Sequence, residues 1–321
     1  MKRAILITGG NSGIGLAAAR ELARAGRRLL LASRGLEATE AAARSIRDES
    51  PGAEVEALHL DLASFGSVRQ FVKEIEGRDL AIDTLVCNAG LQMNDLVLST
   101  DGYETTLAVN HLGHFLLTNL LLPRLAAHAP ARIVVVSSGV HDPAQLTGMP
   151  KAKIAGWDAL FAAGGPDLDA FNGRLAYVNS KLCNLWFTYE LVRRLGARGL
   201  LKPDGAVSVN AYEPGLVPGS GLARDYSPAA RWIWYRLGPG LGRLASRFVA
   251  AINTPEVAGA ALARVASDPA LEAVSGKYFP SHSHFEDAAS SDASYDEARA
   301  ASLWEKSVRV TGLAPGESPL V

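Results

Sequence analysis

Tyr177 and Lys181 stand four positions apart in the run AYVNSKLCNLWFTYEL, residues 176–191. Leu182, Leu185, Trp186 and Tyr189 recur there at helical spacing, so the phenol and the ammonium fall on one helix face, a turn apart. A cation beside a phenol favours the phenolate and draws its pKa towards the working pH. A tyrosine so placed could pass a proton to or from a substrate oxygen. The spacing alone is common, and an ordinary surface helix also carries such pairs. A second motif, near the start of the chain, gives the pair its meaning. Thr8-Gly9-Gly10-Asn11-Ser12-Gly13-Ile14-Gly15 follows the short apolar run Ala4–Ile7 and precedes a helical stretch, Leu16–Ala25, that Gly26 stops. Between a strand and a helix, Gly9, Gly13 and Gly15 permit a tight turn, close approach of backbone to a pyrophosphate, and close helix–strand packing. The helix N-terminus then offers unpaired N–H groups to the anion.

The elements that must hold these groups follow in order. A second strand, Arg28–Ala32, ends in Ser33-Arg34. An acidic residue at that point would take a ribose 2′-hydroxyl, whereas Arg34 suits a 2′-phosphate and favours NADP over NAD. A helical stretch, Leu36–Asp48, leads through Pro51-Gly52 to a third strand, Val55–Leu60, closed by Asp61-Leu62. Asp61 could cap the next helix or hydrogen-bond an adenine amino group. Helix Phe65–Ile75 precedes a fourth strand, Thr84–Cys87, and then Asn88-Ala89-Gly90. Strands alternating with helices through short connections predict a parallel sheet with helices on both faces.

Thr8–Gly15, Asn88-Ala89-Gly90 and the Tyr177/Lys181 pair, in this order and at domain-scale spacing, resemble the short-chain dehydrogenase/reductase family over nearly the whole chain. Val109–Phe115 (VNHLGHF), Ser137-Ser138 after Arg132–Val136, and Leu182-Cys183-Asn184 after Lys181 are most similar to its retinol dehydrogenase and protochlorophyllide reductase group. The resemblance implies a Rossmann-type, doubly wound parallel sheet of about seven strands. It implies an NADP(H)-dependent reductase or dehydrogenase with a tetrad of Asn110, Ser138, Tyr177 and Lys181. Asn110 would hold a water in a proton relay, unless its amide only satisfies local backbone groups. Ser138, with Ser137 as its rival, would hydrogen-bond the substrate carbonyl oxygen. Tyr177 would give that oxygen its proton while hydride arrives from the nicotinamide, and Lys181 would hold the nicotinamide ribose. The cofactor-binding set is Gly9, Asn11, Ser12, Gly13, Ile14, Gly15, Arg34, Asp61, Leu62, Asn88, Ala89 and Gly90 with Tyr177 and Lys181. After a sixth strand, Ala206–Ala211, the loop Pro214-Gly215-Leu216-Val217 joins that set through Pro214, Gly215 and Val217. The threonine usual shortly after such a Pro-Gly is absent, and Ser220 could take its place.

The chain departs from the family between Ser138 and Tyr177, where an insert of Gly- and Ala-rich sequence runs over about 141–173 and carries Trp157 and Phe161. Long loops in compact domains are usually functional or mobile. Light-driven protochlorophyllide reductases have an insert there too, but the cysteine that group places after Pro214-Gly215 is Leu216 here. The segment 218–250 reads as a substrate lid, with Trp232, Ile233, Trp234, Tyr235 and Leu237 among Arg231, Arg236, Arg243 and Arg247. Such a lid suits a bulky lipophilic carbonyl or alcohol, or peripheral contact with a membrane surface, or plain packing. Thr254-Pro255 opens a further helix, Gly276–Phe279 reads as a seventh strand, and Ser294-x-x-Glu297 as a capping box for a last helix through Val310. The exposed side of the Tyr177 helix could pair with a second copy as a homodimer.

Composition sets the outer bounds. A chain of 321 residues, 48% hydrophobic, can bury a sizeable core and is read as a single dinucleotide-binding domain. A formal net charge of −1 gives no field for nucleic acid. Cys87 and Cys183 lie in no metal-ligand or redox spacing, which points to a reducing compartment and no metal. The apolar run Ala4–Ile7 is too short for a secretory signal, and no run reaches membrane-spanning length, so the expected address is cytoplasmic. Two rival functions share the fold: a catalytically idle nucleotide-binding scaffold or sensor, and a light-dependent reductase.

Overall fold

The strand register and the helix faces both follow from the pleat of β1. In the computed structural model, which describes residues 3–78, 80–145, 147–153, 160–167, 171–202, 205–218, 232, 236, 240, 252–281 and 286–321, β1 spans Arg3–Thr8. Its Ala4 and Leu6 point into one apolar cluster, and Ile5 and Ile7 into another on the opposite face. A strand buried on both faces reads as a continuous apolar run rather than an alternating one, which is why Ala4–Ile7 carries no polar residue.

Around it stand β2 (Arg28–Ser33), β3 (Val55–His59), β4 (Ala81–Cys87), β5 (Ala131–Val136), β6 (Val207–Glu213) and β7 (Tyr278–Pro280). They form one parallel sheet in the order β3-β2-β1-β4-β5-β6-β7. The chain moves outward from β1 to β3, then returns to the other side of β1 for β4. Ile7 accordingly pairs with Leu31 on one side and Val86 on the other. That reversal opens a crevice at the C-terminal ends of β1 and β4, where ligands of such sheets bind.

Helices cover both faces. On one side lie α1 (Gly13–Arg24) and α2 (Leu36–Glu49). On the other lie α3 (Phe65–Glu76), the short α4 (Thr105–Leu107), α5 (Gly113–Ala127) and α6 (Gly173–Ala197). The helix α7 (Pro255–Ser267) joins α1 on the first face, and α8 (Glu297–Thr311) joins α6 on the second. Gly259 lets α7 lie against α1, since a methyl added there would collide with Ala17. The expected doubly wound sheet is thus present, with strand ends displaced by up to three residues from the sequence reading.

Several local expectations are corrected. The first helix starts at Gly13 rather than Leu16, so the glycine turn is itself its first turn. Thr254 does cap α7, accepting from the Val257 N–H. By contrast, Asp296 and not Ser294 caps α8, its carboxylate accepting from the Arg299 N–H. Ser294 is buried and donates to the Ser291 carbonyl at 2.6 Å, so no capping box forms. The Tyr177 helix has no exposed side over Ser180–Leu191, where every residue is buried. There α8 and the turn Asp292–Tyr295 cover it, with Trp186 Nε1 donating to the Ala293 carbonyl at 2.8 Å. Over that span the side expected to be open to a second copy is covered by the chain itself. Among the described residues no helix is long and apolar enough to cross a membrane.

Candidate active site

A cleft of about 750 Å³ runs along the crevice between β1 and β4 and onwards over β5 and β6. Its walls include Gly9, Asn11, Ser12, Gly13, Ile14 and Gly15 at one end, with Arg34, Asp61, Leu62, Asn88, Ala89 and Gly90 beside them. At the other end stand Ser138, Tyr177, Lys181, Pro214, Gly215 and Val217. The sequence-predicted residues thus converge on one cavity, with two exceptions. Asn110 sits just beneath the wall, and Ser220 lies outside the described residues, as do Trp157 of the insert and the lid residues 219–231, 233–235, 237–239 and 241–251. Trp232 is described and exposed.

The glycine turn is built by side chains as well as by glycines. Thr8 is buried at the end of β1, and its Oγ1 accepts from the Asn88 and Ala89 N–H groups at 2.9 and 3.0 Å. Asn88 Nδ2 donates back to the Thr8 carbonyl at 2.8 Å and to that of Gly9 at 3.4 Å. Gly9 and Gly13 take left-handed φ values of +66° and +55°. At Gly15 a methyl would sit 2.5 Å from Asn88 Nδ2 and 2.6 Å from the Gly9 carbonyl oxygen, so only glycine fits. The result is a cradle of backbone at a helix start on the cleft wall, the arrangement a pyrophosphate requires. Arg34 stands exposed at the end of β2 with no hydrogen-bond or ionic partner among the described residues. Asp61 does not cap α3. Ser64 does so, accepting from the Ser67 N–H, while Asp61 Oδ1 takes the Ala63 N–H at 3.0 Å in a turn of its own. These residues fit a phosphorylated dinucleotide: a glycine cradle, a free guanidinium at the second strand end, and a carboxylate on the wall between.

The second end is organised by α6 and the ends of β5 and β6. Tyr177 is largely buried, and Lys181 Nζ lies 5.6 Å from its ring centroid. Lys181 is buried, and its ammonium donates to the Val136 carbonyl at 3.1 Å. Burial pushes its pKa down to about 8. Ser137 and Ser138, which the sequence left as rivals, have different surroundings. The Ser137 hydroxyl is buried and donates to the Lys181 carbonyl at 2.9 Å, tying β5 to α6. Both border the cleft, but the Ser138 hydroxyl has no hydrogen-bond partner among the described residues. The Pro-Gly loop is pinned by Asn253, whose Nδ2 donates to the Pro214 carbonyl at 2.9 Å and whose N–H donates to that of Leu216 at 2.8 Å.

Asn110 occupies a five-residue π-helical turn, Ala108–Leu112, between α4 and α5. Such turns frequently mark functional sites. Its Oδ1 accepts from the Leu91 N–H, and its Nδ2 donates to the Leu91 carbonyl and to Ser180 Oγ, each at 2.9 Å. Both amide hydrogens are therefore in use. Gly90 faces the gap beside it, since a methyl there would touch Asn110 Oδ1 and Lys181 Nζ, each at 3.5 Å.

Sequence reading missed His114, Ser180 and part of the cleft wall. His114 is buried, and burial lowers its pKa to about 4, so it is neutral. Its Nδ1 lies 3.2 Å from the Asn110 carbonyl, which only accepts; Nδ1 therefore carries the hydrogen, and Nε2 faces Thr8 Oγ1 at 2.9 Å. This ring joins the glycine turn to Asn110. The signal was available, as His114 stands one helical turn after Asn110. The insert supplies Gln145, Thr147 and Met149 to the cleft, where Arg174 of α6 holds the Gly148 carbonyl. Cys183 is a buried core thiol with its pKa pushed up to about 12. No group of three or more His, Cys, Asp or Glu side chains that could hold a metal ion occurs among the described residues.

A doubly wound parallel sheet with a tyrosine, a lysine and a serine at its crevice is the architecture of a class of oxidoreductases, and comparison with known proteins narrows it. The family model for short chain dehydrogenase matches residues 3–148. Human (Homo sapiens) retinol dehydrogenase 13 is 38% identical over 328 residues, covering 99% of this chain and 88% of that one. A solved structure of an uncharacterized protein from Mycobacterium Paratuberculosis superposes with a TM-score of 0.69 at 31% identity, covering 97% and 93% of the two chains. A gluconate 5-dehydrogenase from Burkholderia cenocepacia J2315, in complex with NADP and tartrate, gives a TM-score of 0.60 at 25% identity over 87% and 92%. The chain belongs to the short-chain dehydrogenase/reductase family. Within it, the chain is an oxidoreductase of the retinol dehydrogenase group.

Proposed function

We propose that this protein is an NADP(H)-dependent oxidoreductase acting on a carbonyl/alcohol pair of a bulky hydrophobic substrate, with Tyr177 as general acid and base. The observation that carries the reading is the convergence of Ser138, Tyr177 and Lys181 on the cleft whose far end holds the glycine cradle and Arg34. The bound nicotinamide supplies the hydride, which is the redox part of the chemistry. The chain's own residues do the rest. Gly9, Asn11, Ser12, Gly13, Ile14 and Gly15 would take the pyrophosphate, Arg34 the 2′-phosphate, and Asp61 and Leu62 the adenine side. Asn88, Ala89 and Gly90, with Lys181, would hold the ribose next to the nicotinamide, and Pro214, Gly215 and Val217 its carboxamide side.

Ser138 Oγ, free to donate, would hydrogen-bond the substrate oxygen. Tyr177 would then give its phenolic proton to that oxygen during reduction and take it back during oxidation. Lys181, its pKa lowered by burial to about 8 and so still an ammonium at pH 7, would stabilise the phenolate left behind. Asn110 would act through its main chain and Oδ1, since both of its amide hydrogens are bonded. General acid catalysis of this kind is worth on the order of 10²–10⁴ in rate. A lipophilic substrate fits the apolar wall made by Leu91, Val140, Met149, Leu216 and Ile252. The name of retinol dehydrogenase 13 points the same way for that relative. NADP rather than NAD is supported by the unpartnered Arg34 and by the NADP in the gluconate 5-dehydrogenase structure.

The test is NADPH oxidation, followed by absorbance in darkness, over a panel of aldehydes and ketones that includes retinaldehyde and decanal. Turnover of hydrophobic carbonyls is expected. Tight NADPH binding without oxidation of any of them would leave a nucleotide-binding scaffold instead, and turnover only of a porphyrin substrate under illumination would leave a light-dependent reductase.

A further inference from the structure

His141 closes the short turn Gly139–His141 that follows Ser138, and its ring is buried behind the serine rather than in the cleft wall. Two hydrogen bonds fix that ring. Nε2 lies 3.2 Å from the main-chain nitrogen of Ser291, in the C-terminal part of the chain. Nδ1 lies 2.6 Å from the main-chain oxygen of Ser138. The tautomer follows from the partners. A main-chain N–H can only donate, so Nε2 must be bare; a carbonyl can only accept, so Nδ1 must carry the hydrogen. Both requirements are met by a neutral imidazole. Burial holds the His141 pKa below its ordinary value, which keeps that state at neutral pH. The edge of the ring packs on Tyr278, with centroids 5.6 Å apart and planes at 76°. Tyr278 in turn donates from its hydroxyl to Glu213 Oε2 at 3.1 Å, next to the Pro-Gly loop. Ser291 is held from the other side, where Tyr189 of α6 meets Ser290 Oγ at 2.7 Å and stacks on Tyr295 at 5.1 Å.

The Ser138 carbonyl also accepts the His141 main-chain N–H, but at 3.3 Å. The shorter contact, to the ring, is therefore the one that sets the orientation of the serine peptide. Backbone bonds to Ser137 do the same for the residue before it, through the Tyr212 carbonyl at 2.8 Å.

We propose that His141 is a positioning residue for Ser138: its Nδ1–H, oriented by the Ser291 N–H on the opposite ring nitrogen, fixes the serine peptide so that the hydroxyl is held towards the substrate oxygen. The proposal rests on the reading of Ser138 given above. It makes the segment before α8 part of the catalytic apparatus at one remove, since Ser291 aims the ring that aims the serine.

A double-mutant cycle tests it, with NADPH oxidation on retinaldehyde or decanal as the readout. H141L should lower kcat about tenfold in the wild-type background, where one orienting hydrogen bond is lost. In the S138A background the same substitution should cost less than about twofold, because the group it positions is gone. A merely structural role would cost the same factor in both backgrounds and would overturn the proposal. H141N and H141Q give a second arm that does not depend on H141L folding. The asparagine amide hydrogen falls where Nδ1–H was and should keep kcat within about threefold of wild type. The glutamine places its amide at the Nε2 position, loses the donor to Ser138 and should behave like H141L. Equal losses in H141N and H141Q would also overturn the proposal. If S138A alone leaves kcat unchanged, the role assigned to the serine fails first, which separates failure of that reading from failure of this one.

Discussion

Lys181→Met should make the ligand-free protein more stable at neutral pH while disabling it. The lysine is buried, and its pKa falls from the ordinary 10.5 to about 8 by desolvation alone. At about 1.36 kcal/mol for each factor of ten in proton affinity, holding the ammonium in place at pH 7 costs roughly 3 kcal/mol of folding stability. The sign follows from proton binding. Below pH 8 the lysine is protonated in both states and the penalty is complete. Between pH 8 and about 10.5 the unfolded chain keeps the proton that the folded one has released, so stability rises with pH. Above that window the penalty has gone. Methionine fills a similar volume without a charge. The Val136 carbonyl, which loses the ammonium, still accepts from Asn184 Nδ2 at 3.1 Å, so no buried acceptor is orphaned. Urea denaturation of apo wild type and variant, followed by tryptophan fluorescence at several pH values, gives the difference directly. The variant is expected to be more stable by about 1–3 kcal/mol at pH 7, converging on wild type near pH 10.5. A variant less stable at pH 7, or a difference that does not change with pH, would refute the assignment of a buried, costly charge to the site. Active sites commonly carry such costs in exchange for function.

Other outcomes follow from the same geometry. Arg34→Asp should weaken NADPH binding by about 10- to 100-fold, the worth of one charge-assisted contact to a phosphate, and narrow or reverse the preference over NADH; unchanged Kd values for both would remove the 2′-phosphate contact. Gly15→Ala should break the Asn88 contacts to the Thr8 and Gly9 carbonyls, costing about 1–3 kcal/mol in unfolding experiments together with NADPH affinity. Gly10→Ala should be milder in the same assays, since the methyl meets chiefly the movable tip of Leu31. Equal losses in the two variants would contradict the close fit at Gly15.

What the sequence disclosed was local. The glycine turn, the strand before it and the helix after it lie within about two dozen residues, and strand–helix alternation carries the parallel sheet with it. Thr254 capped its helix as expected because a cap and its helix are neighbours. The errors came where a distant partner decides. Ser294 has the spacing of a capping box, yet it is drawn into the core beneath α6 and Asp296 takes the cap. The Tyr177 helix reads as one-sided in apolar spacing, but α8 wraps its other side, and no local pattern reveals a helix that returns from the end of the chain. Asp61 could have capped α3, and Ser64 took that place. His141 and Ser291 are 150 positions apart, so their bond is invisible until the chain is folded. The family resemblance named Asn110, Ser138, Tyr177 and Lys181 from their order and types, and the last three meet on one cleft while Asn110 lies beneath its wall. Ser137 and Ser138 both border the cleft, and only the folded chain reveals that the Ser137 hydroxyl is spent on the Lys181 carbonyl.

The central claim is that the Tyr177 phenol moves the proton. The most direct measurement is single-turnover NADPH oxidation by Tyr177→Phe on a hydrophobic aldehyde that wild type reduces, with NADPH affinity measured alongside. A loss of at least about 10²-fold in the rate, with NADPH Kd unchanged within about twofold, is the expected result. A variant that still turns over within a few-fold of wild type would contradict it.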